Sequence, residues 1–207
     1  MAVDDIRRRN RRRRRRQLTV LGFLLIAFGL AWFFENQATT TVIFVRYADP
    51  STDPAANPGL SEAGKVRAEE LARVLSEADV VDGVDAIIAT QYRHTQETGD
   101  PLARRLHLSV QTADVNDIGG LRKHILKDYK GKIVLVITHA DQLDLLIREL
   151  HGSKKLPPMA ANEFDNLYIV SIPWYGKVKT LRLKYGAPYV PPEPVPSEPS
   201  APAPAAQ

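Results

Sequence analysis

The chain has 207 residues, 44% of them hydrophobic and none of them cysteine. That allows one ordinary domain with accessory segments, and it excludes disulfides, thiol catalysis and cysteine-based metal sites. The formal charge of +4 is unevenly placed: residues 1–17 hold nine Arg against two Asp, a local +7, which leaves −3 for the rest. The basic character belongs to a terminal segment, so a nucleic-acid surface on the folded part is not expected.

Residues 7–16 are Arg except for Asn10, and an uncharged apolar run follows over 18–34. As a helix that run is roughly 26 Å long, near the lower limit for crossing a bilayer. Trp32, Phe33 and Phe34 stand at its far end, where an aromatic belt belongs. The Arg excess on one flank predicts a cytoplasmic basic tail (1–17) and a span (18–34) that places the remainder outside the inner (cytoplasmic) membrane, in the periplasm. The run reads as an uncleaved signal anchor. It is long for a cleaved signal, and Ala38 is the one small residue near a cleavage position. The paired Arg residues before Gln17 also resemble a twin-arginine signal, as any polyarginine run does. At the other end, residues 186–207 are dominated by Pro, Ala, Ser and Glu and are expected to be disordered.

Between these segments, 41–185 is a domain of normal size. Its β-branched run 41–45 predicts a strand. A helix over 61–78 carries Ala68, Leu71, Ala72 and Leu75 on one face, with Ser61 as N-cap. A strand over 84–89, a helix over 92–106 and a short apolar piece at 108–110 follow. Then come a helix over 119–129, a buried strand over 132–138 and a helix over 141–150. Strands over 167–172 and 177–183 flank a turn at 173–176 and form a hairpin. Strands alternating with helices predict an α/β, three-layer αβα sandwich: a mostly parallel sheet with an antiparallel edge hairpin, preceded by one transmembrane helix.

In such a sheet, ligands bind beyond the carboxyl ends of the strands. Three strand ends carry polar groups: Arg46-Tyr47, the segment Thr90-Gln-Tyr-Arg-His-Thr-Gln-Glu-Thr98, and Thr138-His139 before a helix that Asp141 is placed to cap. Helix N-termini present free N–H groups, so this spacing gives a modest case for an anion site.

The Arg-Tyr strand end and four pieces that follow it in order then resemble the histidine phosphatase (phosphoglycerate mutase-like) superfamily. Val42-Ile-Phe-Val-Arg-Tyr-Ala-Asp49 is similar to its Arg-His strand. Asn57-Pro-Gly-Leu-Ser-Glu-Ala-Gly-Lys-Val-Arg-Ala-Glu69 is similar to its first helix start. Residues 87–98 resemble its Arg-containing second segment, and 134–146 its strand ending in Gly-His. Glu163-Phe-Asp-Asn-Leu-Tyr-Ile-Val-Ser-Ile-Pro173 is similar to a tail of small bacterial members.

The resemblance implies two Arg and two His around one phosphoryl group. One His is the nucleophile, and an acid protonates the leaving group. Arg46 matches the first Arg and His139 the second His. Tyr47 stands at the nucleophile position. The second Arg falls on His94, with Arg93 its neighbour, and helix register decides which of the two faces the pocket. An imidazole titrates near ~6.5 and a phenol near ~10, so Tyr47 is a poor replacement for the nucleophile. The acid is not identified; Asp114 and Asp117 are weak candidates. His107, His124 and His151 are expected on the surface. No grouping has metal-ligand spacing, and no cofactor is expected.

The resulting expectation is a membrane-anchored histidine-phosphatase-fold protein without ordinary catalysis. Tyr47 and His139 hold the catalytic positions, and a residual phosphate pocket is made by Arg46, Arg93, His94 and His139. The expected partners are a phosphorylated small molecule or phosphoprotein and the membrane. An active phosphatase with an atypical nucleophile and a structural envelope protein are the competing readings.

Overall fold

The computed structural model describes residues 2–35, 39–53, 56–78 and 83–191, with side chains of the first helix described over 13–33. Ala38 and residues 192–207 lie outside the described residues. In chain order the elements are α1 (Ala2–Glu35), β1 (Thr40–Arg46), α2 (Glu62–Glu77), β2 (Ala86–Thr90), α3 (Arg93–Leu106) and β3 (Val110–Ala113). They continue as α4 (Ile118–Asp128), β4 (Ile133–Thr138), α5 (Ala140–Glu149), β5 (Asn166–Ile172) and β6 (Lys179–Lys184).

The strands form one sheet in the order β3-β2-β4-β1-β5-β6. β1, β2, β3 and β4 pair in parallel, while β5 and β6 run antiparallel along one edge. This is the expected αβα sandwich. Central strands of such a sheet are buried on both faces, which is why β1 and β4 read as unbroken apolar runs. Their side chains still alternate. Val42 and Phe44 join Val134, Val136, Leu143, Leu146 and Ile147 on one face. Ile43 and Val45 join Leu71, Leu102, Leu135 and Ile137 on the other.

Two local contacts position the first helix of the domain. The Ser61 hydroxyl accepts from the Gly64 N–H and donates to the Asp49 carbonyl, so α2 begins against the chain leaving β1. A Cβ on Gly64 would collide with that same carbonyl.

Several expected boundaries shift. β2 begins at Ala86 rather than 84, because the Asp85 carboxylate accepts from Ile133 N–H and ends the ladder there. β3 is Val110–Ala113, not 108–110; its polar Gln111 and Thr112 pair in register with β2 at the sheet edge. Asp141 does not cap α5: His139 holds the N-cap position, and Asp141 lies in the first turn. The segment expected to be disordered from 186 is held at its start. Arg67 donates to the Ala187 carbonyl at 2.9 Å, and Tyr189 N–H donates to Asp165 at 3.0 Å.

Helix α1 is continuous through the basic segment and the apolar run. Over Arg13–Phe33 it is long and apolar enough to span a bilayer, and Leu18, Leu24, Ile26 and Phe28 all point into the surroundings. At its far end Phe33 meets Trp174 of the β5–β6 turn edge to face, with centroids 6.0 Å apart.

Candidate functional site

The neighbouring strands β1 and β4 end in register, Arg46 opposite Thr138. Tyr47 and His139 therefore emerge side by side, and Tyr47 N–H donates to the Thr138 carbonyl at 3.2 Å. Helix α3 closes the third side. The Thr98 hydroxyl donates to the His94 carbonyl at 2.7 Å and accepts from Ala48 N–H at 3.0 Å, pinning the exit of β1 against α3. That pin sets Tyr47 against His94.

The result is a tight aromatic group at the carboxyl end of the sheet. The Tyr47 ring lies 4.3 Å from the His94 ring and 4.9 Å from the His139 ring. The two His rings meet edge to face, Nε2 to Nε2 at 3.4 Å. Tyr92 stacks on His94 at 5.7 Å and stands edge-on to His139 at 5.1 Å. Phe164 lies 5.9 Å from Tyr47 on the opposite side.

Arg46 is buried beside this group; its Nη donors are engaged, while Nε is buried with no hydrogen-bond partner. Nη1 donates to the carbonyls of Ala160 and Glu163 at 3.0 and 3.2 Å. Nη2 donates to the Ala161 carbonyl at 2.9 Å and to the Tyr47 hydroxyl at 3.3 Å. The guanidinium also lies over the Phe164 ring, 4.3 Å from its centroid. The loop that supplies these carbonyls is tied by Glu163. This buried carboxylate accepts from Lys184 at 2.6 Å, Asn166 at 2.8 Å, and Arg182 and Ala160 N–H at 3.0 Å. Burial alone would raise the Glu163 pKa, but these donors prevail and hold it down at about 2.

Both imidazoles are shifted toward the neutral form. Burial lowers the pKa of His94, and His139 lowers it further. Burial also lowers that of His139; the Asp141 charge opposes the shift and the Arg46 charge adds to it. Arg46 is the cation of this group, and its Nη groups already face carbonyls.

Of the residues singled out by sequence, the fold brings Arg46, Tyr47, His94 and His139 together. It does not bring Arg93. That side chain points outward and pairs with Glu97 at 2.6 Å, while His94 turns inward at 8% exposure. One residue of helix rotation separates them, as ~100° per residue requires. Asp114 and Asp117 lie on an exposed loop, where they accept from Asn116 N–H and Gly120 N–H; Asp117 is the N-cap of α4. His107, His124 and His151 are exposed. Among the described residues no His, Asp or Glu group could hold a metal. Sequence reading missed Tyr92, Phe164 and the 160–163 carbonyls. The Phe164 position lay in a recognised segment, but nothing marked its ring as the cover over Arg46.

No protein-family model and no curated protein matches the sequence. Solved structures do resemble the fold. A protein histidine phosphatase, SixA, complexed with tungstate superposes with a TM-score of 0.56 at 19% identity, over 70% of this chain and 96% of that one. The putative phosphohistidine phosphatase SixA from Agrobacterium tumefaciens gives 0.53 at 15% identity, over 72% and 99%. A phosphoglycerate mutase from Plasmodium falciparum gives 0.53 at 14% identity, over 76% and 98%. The domain therefore has a phosphoglycerate mutase-like fold, shared with these phosphatases and mutase.

Proposed function

We propose that this chain is a membrane-anchored, catalytically silent protein of the histidine phosphatase fold. It acts by binding rather than by hydrolysis. One observation carries the reading: the Tyr47 ring packs against both His94 and His139, where the resemblance puts the nucleophile, with the Arg46 guanidinium hydrogen-bonded to its hydroxyl and to the 160–163 carbonyls.

A nucleophile must present a lone pair at the reacting phosphorus. Here a phenol stands where the resemblance puts the attacking imidazole. A phosphoryl group entering the site must displace the loop carbonyls from the Arg46 Nη groups before it gains a bidentate charge-assisted pair with them. Its binding is correspondingly weak, whether it arrives on a small molecule or on a protein. SixA, named as a protein histidine phosphatase, makes a phosphorylated partner the natural ligand class to try first. The anchor reading rests on α1: its apolar side chains Leu18, Leu21, Phe23, Leu24, Leu25, Ile26 and Phe28 are exposed, and the Arg-rich flank fits the cytoplasmic side.

The test is turnover of a generic aryl phosphate by the full chain in detergent. The expected rate is that of buffer alone. Robust turnover abolished by His139→Ala overturns the reading and supports an active phosphatase with another nucleophile.

A further inference from the structure

We infer that the end of the domain opposite the site is a docking surface for anionic phospholipid headgroups, centred on the β5–β6 turn, and that it holds the site facing away from the bilayer. This rests on the reading of α1 as a membrane span. It adds a second, independent contact with the same membrane.

The connection is short. Only residues 36–39 separate the end of α1 from Thr40, so Thr40 lies within about 18 Å of Glu35 even along a fully extended chain. The amino end of β1 must therefore sit close to the bilayer. Strand pairing decides what sits there with it. Thr40 pairs with Ile172, the last residue of β5, and Ser171 pairs with Lys179, the first of β6. The turn at 173–178 is thus on the membrane side. Ser153 N–H donates to the Thr180 hydroxyl, which brings the 153–155 loop to the same end.

The composition of that end suits a headgroup layer. Trp174 and Tyr175 are 51% and 82% exposed, an uncommon position for two large aromatics on a domain surface. Trp and Tyr favour the membrane interface, where one end of the ring is apolar and the other wet. Trp174 already touches Phe33, the aromatic end of the span. Lys154, Lys155, Lys177 and Lys179 surround the turn, all exposed, and none enters an ion pair among the described residues. By contrast, Glu77, Asp85 and Glu149, acidic side chains described toward this end, each have a cationic partner within 4 Å, and Asp128 is hydrogen-bonded to His124. Among the described residues, the four lysines around the turn are thus left without an ionic partner, and anionic headgroups attract them. From Thr40 to Arg46 the strand then rises about 20 Å away from the surface, so the Tyr47 group faces outward.

The chain has two Trp, which makes the test direct. The full chain is placed in nanodiscs of phosphatidylcholine with phosphatidylglycerol, brominated at a shallow acyl position. Trp32→Phe leaves Trp174 as the single reporter, and Trp174→Phe leaves Trp32. The inference predicts that bromine quenches Trp174. It also predicts that Lys154→Glu, Lys155→Glu, Lys177→Glu and Lys179→Glu together reduce that quenching several-fold while Trp32 stays quenched. Trp174 emission equal in brominated and plain discs, with Trp32 quenched, overturns the docking surface and leaves the anchor standing; a protein partner would then be the occupant to seek. Quenching of Trp174 untouched by the four charge reversals overturns the assignment to anionic headgroups. If neither Trp is quenched, the anchor reading fails first.

Discussion

His94 and His139 face each other Nε2 to Nε2 at 3.4 Å, and their other nitrogens make the pair asymmetric. His94 Nδ1 lies 3.4 Å from the Pro58 carbonyl, which can only accept, so Nδ1 carries the proton. Its Nε2 is then a lone pair that accepts from His139 Nε2–H, and His139 Nδ1 is a buried lone pair with no donor beside it. A second proton on His94 would set one N–H against another.

That arrangement predicts a pH-dependent stability. Burial lowers both pKa values below 6.5 in the folded state, so the unfolded chain binds more protons than the folded one in that window. The stabilisation is fully present above about pH 6.5 and is lost as pH falls through the folded-state values. Thermal melts between pH 7.5 and 5 should show Tm falling with acid. His94→Gln should flatten the slope; an unchanged slope would mean that the pair does not titrate as described.

Arg46 is expected to matter more for stability than for phosphate. Its three carbonyl bonds are charge-assisted and partly buried, so Arg46→Ala should destabilise the domain by on the order of 3 kcal/mol. Denaturant unfolding in detergent checks this. Inorganic phosphate should raise the Tm of the unaltered chain little, because it must compete with those carbonyls.

Glu163 organises the same loop. Replacing it by Gln leaves Arg182 with a weaker partner and costs about 2 kcal/mol at neutral pH. The carboxylate is depressed to about 2, so its contribution is present above about pH 4.5 and disappears as pH falls toward 2. Glu163→Gln should therefore show a weaker loss of stability over that acid range than the unaltered chain.

Gly64→Ala tests the entry to α2. The added methyl would strike the Asp49 carbonyl, a rigid backbone atom. Overpacking of this kind costs about 1–3 kcal/mol, read as a lower denaturation midpoint with an unchanged m-value.

The parts that were legible in the sequence are those where one physical pattern dominates. β1 and β4 are continuous apolar runs, and α2 has its 3.6-residue stripe and its Ser61 cap. Those pieces also carry the order that identifies the fold. The site was legible only as far as the strand ends reach. Arg46, Tyr47 and His139 follow directly from strands β1 and β4. The choice between Arg93 and His94 depends on a rotation of about one residue at the start of α3, which no local preference fixes. The engagement of Arg46 was hidden because carbonyls have no sequence identity: any residues at 160–163 would offer them.

Restoring the family's pattern should restore chemistry. Tyr47→His with His94→Arg supplies an imidazole and a second guanidinium, and a phosphoryl group then competes for Arg46 with a charge that carbonyls lack. The double variant should hydrolyse an aryl phosphate above the unaltered chain, and Tyr47→His alone should do so less. No gain in either would show that the pocket is dismantled beyond these two positions.

The central claim is that no side chain here accepts a phosphoryl group. Intact-protein mass spectrometry of the full chain, quenched after incubation with a reactive phosphoryl donor such as phosphoramidate, tests it most directly. The predicted spectrum contains the unmodified chain alone. A phosphorylated adduct that maps to Tyr47, His94 or His139 would contradict the account.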